Sequence, residues 1–413
     1  MHTRIWLFAS ALAIMTGFGT GCSHSGDTGS VATDPQPVSD RVGTLRFHIN
    51  DSVSVDIPGE KTEALLILKN GEETLHLAAQ DALCYEVPVF NGRLCLDETG
   101  QGTWTDVLRV GENPYQVACS WVSGVTSSRP AGPLVSTLWR LEFGKDDPWY
   151  GDLVLGVDSE GRAEGTIETS TGDFRFLHGR LNEGLLTLQT FDGAHLFRFS
   201  GKMGDQKITS GWFSSGNHYG TPFSGKPLDE ADAPLSEGQK AEWTGEPVQF
   251  SGKDLYGNDV TWLWSNDTDS VHVLSIMGSW CPNCMDEHRL LHELMSEFPK
   301  MRVHTLAFER GLDRPNGEKR ALRRLKQYHE QLELWRHEGR WDITLVGPAS
   351  KTEAQRLLPF TDRVVSFPTT IVLHPEASTP WFHSGFNGPA TGAKHDMERA
   401  ALASALSGRS GNH

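Results

Sequence analysis

Gly278-Ser279-Trp280-Cys281-Pro282-Asn283-Cys284 decides how this chain is read. Before it, residues 271–277 form a mostly apolar run of the length of a buried strand. After it, Leu290, Leu291, Leu294, Met295 and Phe298 recur at three- and four-residue steps, the stripe of an amphipathic helix. A strand therefore feeds a Cys-x-x-Cys that opens a helix. The first cysteine, Cys281, falls where unpaired backbone N–H groups and the helix dipole favour a thiolate. Cys284 follows on the same helical face, close enough to attack a mixed disulfide. Pro282 suits the first turn, where its missing N–H leaves nothing unpaired. The placement predicts thiol–disulfide exchange by a redox-active Cys281–Cys284 pair, which needs no metal and no cofactor.

Two plainer readings compete with this one. Half a zinc site would want a second ligand pair, but Cys84, Cys95 and Cys119 form none. An inert structural disulfide is the other, and the strand–motif–helix context argues against it. A peroxide-reducing cysteine would have a threonine three residues before it, where Gly278 stands.

With these words in place, residues 248–407 resemble a thioredoxin-fold domain of the TlpA-like thiol-disulfide reductase family. The resemblance rests on Gly278-Ser279-Trp280-Cys281-Pro282-Asn283-Cys284-Met285-Asp286-Glu287, on Phe308-Glu309, on Ser366-Phe367-Pro368-Thr369-Thr370, and on residues 385–392, in that order. It implies Cys281 as attacking thiol, Cys284 as resolving thiol and Pro368 as a cis-proline beside them that presents backbone to an extended substrate. Trp280, Pro282, Asn283 and Phe367 would support that site. Cis geometry is open to the Phe367-Pro368 bond because proline narrows the cis–trans gap to about 0.5–1 kcal/mol. The resemblance also implies a reductive direction, with electrons from a membrane carrier and disulfide-bearing exported proteins as partners; cytochrome c maturation is a family association only. A disulfide oxidant or isomerase is the alternative enzyme. A copper-handling or purely binding module is the alternative outside catalysis; His374 or His383 could serve it, but the cysteine spacing opposes it.

One departure from ordinary thioredoxins is informative. Where they carry a buried aspartate, six residues before the first cysteine, this chain has Ser275. Glu287, one helical turn beyond Cys284, matches the acid of TlpA-like reductases and would take the proton from Cys284. The competing expectation is a solvated first-turn acid favoured by the dipole. His288 is expected on the helix surface as a bystander. Glu309 follows a strand end, where site residues collect in α/β sheets; a surface ion pair with Arg310 or a lysine is the alternative.

The whole chain has 413 residues, enough for two or three domains. Its net charge of −16 argues against nucleic acid, which needs a basic face. Residues 1–22 read as an export signal, with Arg4, an apolar run at 5–18 too short for a comfortable membrane span, and Gly19-Thr20-Gly21-Cys22. A small residue before cysteine resembles a bacterial lipoprotein signal, in which Cys22 is lipidated and anchors the protein to a membrane of the cell envelope on the periplasmic side. Gly19 stands where leucine is usual, and an ordinary secretory signal is the alternative. Residues 23–40, rich in Ser, Gly, Asp, Thr and Pro, read as a flexible tether.

Residues 41–227 read as an all-β region, sandwich or barrel, with Asn70-Gly71, Asn91-Gly92 and Asp192-Gly193 as hairpin turns. A degenerate repeat, about 41–130 and 135–227, shows in four echoes. Leu45-Arg46-Phe47 matches Trp139-Arg140-Leu141, and Val89-Phe90-Asn91-Gly92 matches Thr190-Phe191-Asp192-Gly193. Gly102-Thr103-Trp104 matches Ser210-Gly211-Trp212, and Pro114-Tyr115 falls where Tyr219-Gly220-Thr221-Pro222 recurs. Two β units explain this. Residues 165–175 and 190–195 also resemble the region ahead of thioredoxin domains in some TlpA-like proteins. With no cluster of catalytic residues in it, the β-rich region reads as a scaffold or partner-docking domain, and a ligand-binding barrel is the alternative. If Asn91-Gly92 is a two-residue turn, Phe90 faces Arg93 and Cys84 faces Thr99. That sets Cys84 and Cys95 too far apart to bridge and leaves Cys119 to pair with either.

Residues 228–247 read as a linker. Beyond the motif, 301–308 reads as a strand and 316–337 as a helix with Leu322, Leu325, Tyr328, Leu332 and Trp335 inside. Lys319, Arg320, Arg323, Arg324 and Lys326 form a basic face, read as solvated, with docking to an acidic partner as the alternative. A strand at 342–346, a helix capped by Ser350 and Glu353, a hairpin at 369–384 and a helix at 396–406 complete the predicted α/β domain.

Overall fold

The computed structural model describes residues 41–87, 89–90, 92–106, 115–124, 132, 134–229, 235, 240–265 and 269–408. The expected export signal with Cys22, the tether, Asn91, Pro114 and residues 230–234 and 236–239 of the expected linker lie outside the described residues.

The first module is a closed barrel of eight consecutive strands. They are β1 (Val42–Asn50), β2 (Val53–Lys61), β3 (Leu65–Asn70), β4 (Glu73–Ala79), β5 (Cys84–Val87), β6 (Gly92–Leu96), β7 (Gln101–Asp106) and β8 (Tyr115–Ser123). Neighbours are antiparallel, and β8 returns to pair with β1. Strict alternation makes this possible: Leu45, Phe47 and Ile49 point inward from β1 while Arg46 and His48 point out. Closure also removes the exposed edges an open sheet would present.

The second module repeats the plan. Its strands are β9 (Val135–Phe143), β10 (Trp149–Val157), β11 (Arg162–Thr169), a short β12 (Gly172–Asp173), β13 (Leu177–Asn182), β14 (Leu185–Phe191), β15 (Leu196–Met203), β16 (Ile208–Ser215) and β17 (Tyr219–Pro227). β9 pairs with both β10 and β17, β10 with β11, and β11 with β13, so eight strands close a second ring with β12 as a side tab on β11. Phe143, Phe199, Phe213 and Phe223 pack face and edge in its core. The repeated words fall on corresponding elements: Arg46 of β1 forks onto Asp56 of β2, and Arg140 of β9 forks onto Asp152 of β10.

The two rings are bolted together. Phe191 of β14 inserts into the first barrel, its ring 4.6 Å from Phe47 and 5.1 Å from Trp104. Asn70 Oδ1, fully buried, accepts from Thr190 Oγ1 and from the Phe191 N–H.

Two expectations fail in the first barrel, and for one reason. Val87 pairs with Gly92 and Glu86 with Arg93, so Phe90 does not face Arg93 and the register is not that of a two-residue turn. Val89 takes φ 66°, a left-handed conformation that opens the wider connection. In that register Cys84 faces Cys95, with α-carbons 4.0 Å apart, and the two are bridged. Cys119 is the free thiol; burial raises its pKa to about 12, outweighing a hydrogen bond from the Trp104 backbone, so it is inert.

The C-terminal part is a mixed sheet. Its strands are β18 (Gln249–Lys253), β19 (Asp259–Leu263), β20 (Val271–Met277), β21 (Met301–Glu309), β22 (Trp341–Pro348), β23 (Thr369–Leu373) and β24 (Trp381–Ser384), in the spatial order β19-β18-β22-β21-β20-β23-β24. β20, β21 and β22 run parallel, and β23 runs antiparallel beside β20. Helix α1 (Pro282–Glu297) follows β20, α2 (Gly317–Gln331) links β21 to β22, α3 (Lys351–Leu357) follows β22, and α4 (Ala393–Leu406) closes the chain. Central β20 is buried along its whole length, which explains its mostly apolar reading.

Helix α2 departs from expectation at both face and end. Glu333 takes φ 52°, which ends the helical run; Leu334 is then buried and Trp335, expected inside, is exposed. Arg324, expected on the solvated basic face, is 2% exposed.

Candidate active site

The dithiol sits where β20 gives way to α1. Gly278 is required by close packing: a Cβ there would come within 2.2 Å of the Trp280 ring nitrogen and 2.8 Å of the Phe308 carbonyl oxygen. The same Trp280 nitrogen donates to that carbonyl at 2.9 Å. Cys281 is the N-cap of α1, and its Sγ accepts the Cys284 N–H at 3.2 Å. Pro282 occupies the first turn. Cys281 and Cys284 are joined as a disulfide, with α-carbons 5.3 Å apart. Across from them the Phe367-Pro368 bond is cis, and the Phe367 carbonyl oxygen lies 3.5 Å from Cys281 Sγ. Trp280 packs edge-on to Phe367, and the Arg310 guanidinium lies 4.2 Å from the Trp280 ring centroid.

Behind the sulfurs lies a buried polar chain. Glu287 is 1% exposed, so it is not the solvated acid that the helix dipole alone would favour. Ser275 Oγ donates to its Oε2 at 2.6 Å, and Thr370 Oγ1 hydrogen-bonds its Oε1. Burial raises its pKa to about 7; the two hydroxyls and His383 oppose the rise, and Glu398 adds to it. His288, expected on the surface, is fully buried. Its Nε2 lies 3.0 Å from Ser275 Oγ and its Nδ1 2.8 Å from Tyr328 Oη. Ser275 spends its proton on Glu287, so Nε2 carries hydrogen and Nδ1 accepts from Tyr328. Burial holds the His288 pKa down at about 3, which keeps the ring neutral. Tyr328 Oη also lies 3.4 Å from the Cys284 carbonyl. Ser275 thus fills the place of a buried acid by linking Glu287 to His288.

Glu309 is fully buried, which rules out the surface pair considered for it. Its carboxylate accepts from the Ser279 N–H at 2.7 Å and from Ser279 Oγ at 2.8 Å, and Arg324 donates to it at 2.8 Å. It therefore holds the turn that leads into Cys281 and touches neither sulfur.

A second buried cluster ties the barrels to the same helix. Arg175, beyond β12, donates through Nε to Asp286 Oδ2 at 2.8 Å and through Nη2 to Glu73 Oε1 at 2.7 Å. Its Nη1 lies 3.6 Å from Asp192. Asp286 belongs to α1, Glu73 to the first barrel, and Asp192 to the loop after β14. Burial disfavours a charge at Asp192, but His195 and Arg175 outweigh it and keep the carboxyl below its usual range. Asn283, between the two cysteines, donates to the backbone carbonyls of Asp173 and Phe386 at 3.1 and 3.4 Å. Gly388 N–H donates to Asp173 Oδ1 at 2.8 Å, and Lys394 pairs with Glu168. Sequence spacing could not reveal this cluster, since Arg175 and Asp286 are 111 residues apart.

Replacing Arg175 by methionine leaves Glu73, Asp192 and Asp286 buried without their shared cation. A loss of about 3–5 kcal/mol in unfolding free energy is expected by urea titration. The deficit shrinks as pH falls and Glu73, whose pKa burial already raises and Arg175 no longer lowers, takes up a proton.

No protein-family model matches the chain, and no curated protein does. Solved structures are similar to part of it. A secreted disulfide oxidoreductase of Mycobacterium tuberculosis is 14% identical, with 38% of this chain and 95% of that one covered and a TM-score of 0.26. The thiol:disulfide interchange protein DsbE of Chlorobium tepidum is 17% identical, covering 41% and 98% with a TM-score of 0.27. The exposed lipoprotein thioredoxin Etrx1 of Streptococcus pneumoniae is 17% identical, covering 39% and 99% with a TM-score of 0.25.

Proposed function

We propose that this chain is an exported thiol–disulfide oxidoreductase of the TlpA-like kind, working in the reductive direction from a thioredoxin-fold domain at residues 248–407. The observation that carries the reading is the Cys281 Sγ at the N-cap of α1, accepting the Cys284 N–H. A thiolate formed there gains that hydrogen bond and the helix dipole. Cys281 attacks one sulfur of a substrate disulfide; a mixed disulfide forms and the other substrate sulfur leaves as a thiol after protonation. Cys284 gives its proton to Glu287 and attacks Cys281 Sγ. The second substrate thiol is released and the pair is left oxidised, two electrons having passed to substrate. A membrane dithiol carrier then restores the reduced pair.

Cys22 as lipid anchor on the periplasmic side of the envelope, followed by the 23–40 tether, would hold this site within reach of such a carrier and of exported proteins. Pro368 and Phe367 would offer backbone to the substrate segment, while Trp280 and Glu309 keep the motif in place. The test is turnover of insulin disulfides with dithiothreitol as the electron source. Catalysis lost on Cys281→Ala supports the proposal; a rate equal to dithiothreitol alone overturns it.

A further inference from the structure

The dithiol is largely enclosed. Cys281 is 6% exposed, Pro282 and Cys284 are buried, and Asn283 is engaged with the Asp173 carbonyl. The barrels touch the residues on either side of Cys281: the Asp173 carbonyl accepts from Asn283, and the hairpin tips share a crevice with Trp280. The β5–β6 hairpin and the β14–β15 hairpin, the same hairpin in strand order in each ring, meet beside Trp280. A Cβ on Gly193 would lie 2.9 Å from Val87 and 3.0 Å from the Phe90 ring, so the two tips are in contact. Phe90, Ala194 and His195 from these tips, with Asp106 from the end of β7, line a crevice whose other wall is Trp280 and Arg310. Its free volume is about 10 Å³, room for no more than about one water and for no side chain.

The hairpins are also fixed in position. Asp192, inside the second tip, shares Arg175 with Asp286 of the catalytic helix and with Glu73 of the first barrel. Gly172 bridges to Phe386, and Asp173 accepts from Gly388. The barrels are therefore clamped to α1 on the Asn283 side, and their tips stand against Trp280.

We propose that the paired hairpin tips form a specificity wall, with Phe90 and Ala194 as specificity-determining residues. The wall admits disulfides on slim, extended segments to Cys281 and excludes those flanked by folded structure. This rests on the exchange function proposed above. Phe90 has no part in the chemistry, so its effect falls on the choice between substrates.

The experiment measures kcat/KM for oxidised glutathione and for insulin with the full chain, in wild type, Phe90→Ala and Ala194→Trp. A ratio of the two substrates cancels any loss of correctly folded protein. Phe90→Ala is expected to raise the insulin-to-glutathione ratio by about fivefold, near 1 kcal/mol of discrimination. Ala194→Trp, which fills the crevice from a partly exposed position, is expected to lower it. Ratios within about twofold of wild type in both variants overturn the wall and leave the exchange function standing. Absence of Cys281-dependent exchange with both substrates in wild type overturns the two together.

Discussion

Replacing Cys284 by serine is expected to arrest the protein as a mixed disulfide with its substrate, while Cys281→Ser forms no adduct and shows no turnover. The asymmetry follows from the helix start. Cys281 Sγ is at the N-cap, where it accepts the Cys284 N–H, and lies beside the Phe367 carbonyl at the edge of the site. Cys284 is fully buried one turn inside the helix, reachable by Cys281 and by little else. Serine at 284 leaves the first exchange intact and removes the nucleophile placed to undo it. Mass spectrometry after reaction with a disulfide peptide reads the outcome: an adduct of peptide mass in Cys284→Ser and none in Cys281→Ser. The reverse pattern would exchange the two roles.

Glu287→Gln is expected to slow turnover by on the order of a hundredfold and to flatten its pH dependence. With its pKa raised to about 7, Glu287 gains the capacity to accept the Cys284 proton as pH rises through neutrality. Wild-type turnover should therefore climb across that range, and a glutamine cannot follow it. The charged and titratable groups that face Glu287 are His383 and Glu398, paired with each other at 2.7 Å. The same substitution bears on stability. A carboxyl whose folded pKa lies above its unfolded value binds more protons when folded, so its contribution falls as pH rises from about 4.5 to about 7 and stays low above that. The shift corresponds to about 3 kcal/mol. Glutamine does not titrate, so stability relative to wild type should move in the variant's favour by that amount between pH 4.5 and pH 8, read as urea midpoints. Parallel curves for the two proteins would mean that Glu287 is ionised throughout.

The dithiol was legible because its signal is local: a strand length, a cysteine pair and a helical stripe, all inside residues 271–298. The barrels were legible as strands and as a repeat, but their register was not. Val89 adopts a left-handed φ that residue type does not advertise, and that one loop moved Cys84 opposite Cys95. The surroundings of the polar side chains were not legible for a different reason. Glu287, His288, Glu309 and Arg324 look like helix-surface or strand-end residues because their partners are far off in sequence. Ser275 and Thr370 satisfy Glu287, Ser275 and Tyr328 satisfy His288, and Ser279 and Arg324 satisfy Glu309. Charge burial of this kind is stable only once the fold supplies the partner. Arg175 is the extreme case, joining both barrels and α1 from a stretch with no catalytic pattern of its own.

The reductive direction is what the proposed role depends on, and one equilibrium constant decides it. The measurement is the reduction potential of the Cys281–Cys284 pair in the full chain, by equilibration against glutathione or dithiothreitol buffers with thiol quantification. A potential near about −270 mV is expected for a dithiol that reduces substrate disulfides and must be recharged. A potential near about −120 mV would mean that the pair donates its disulfide instead, which contradicts the reductase.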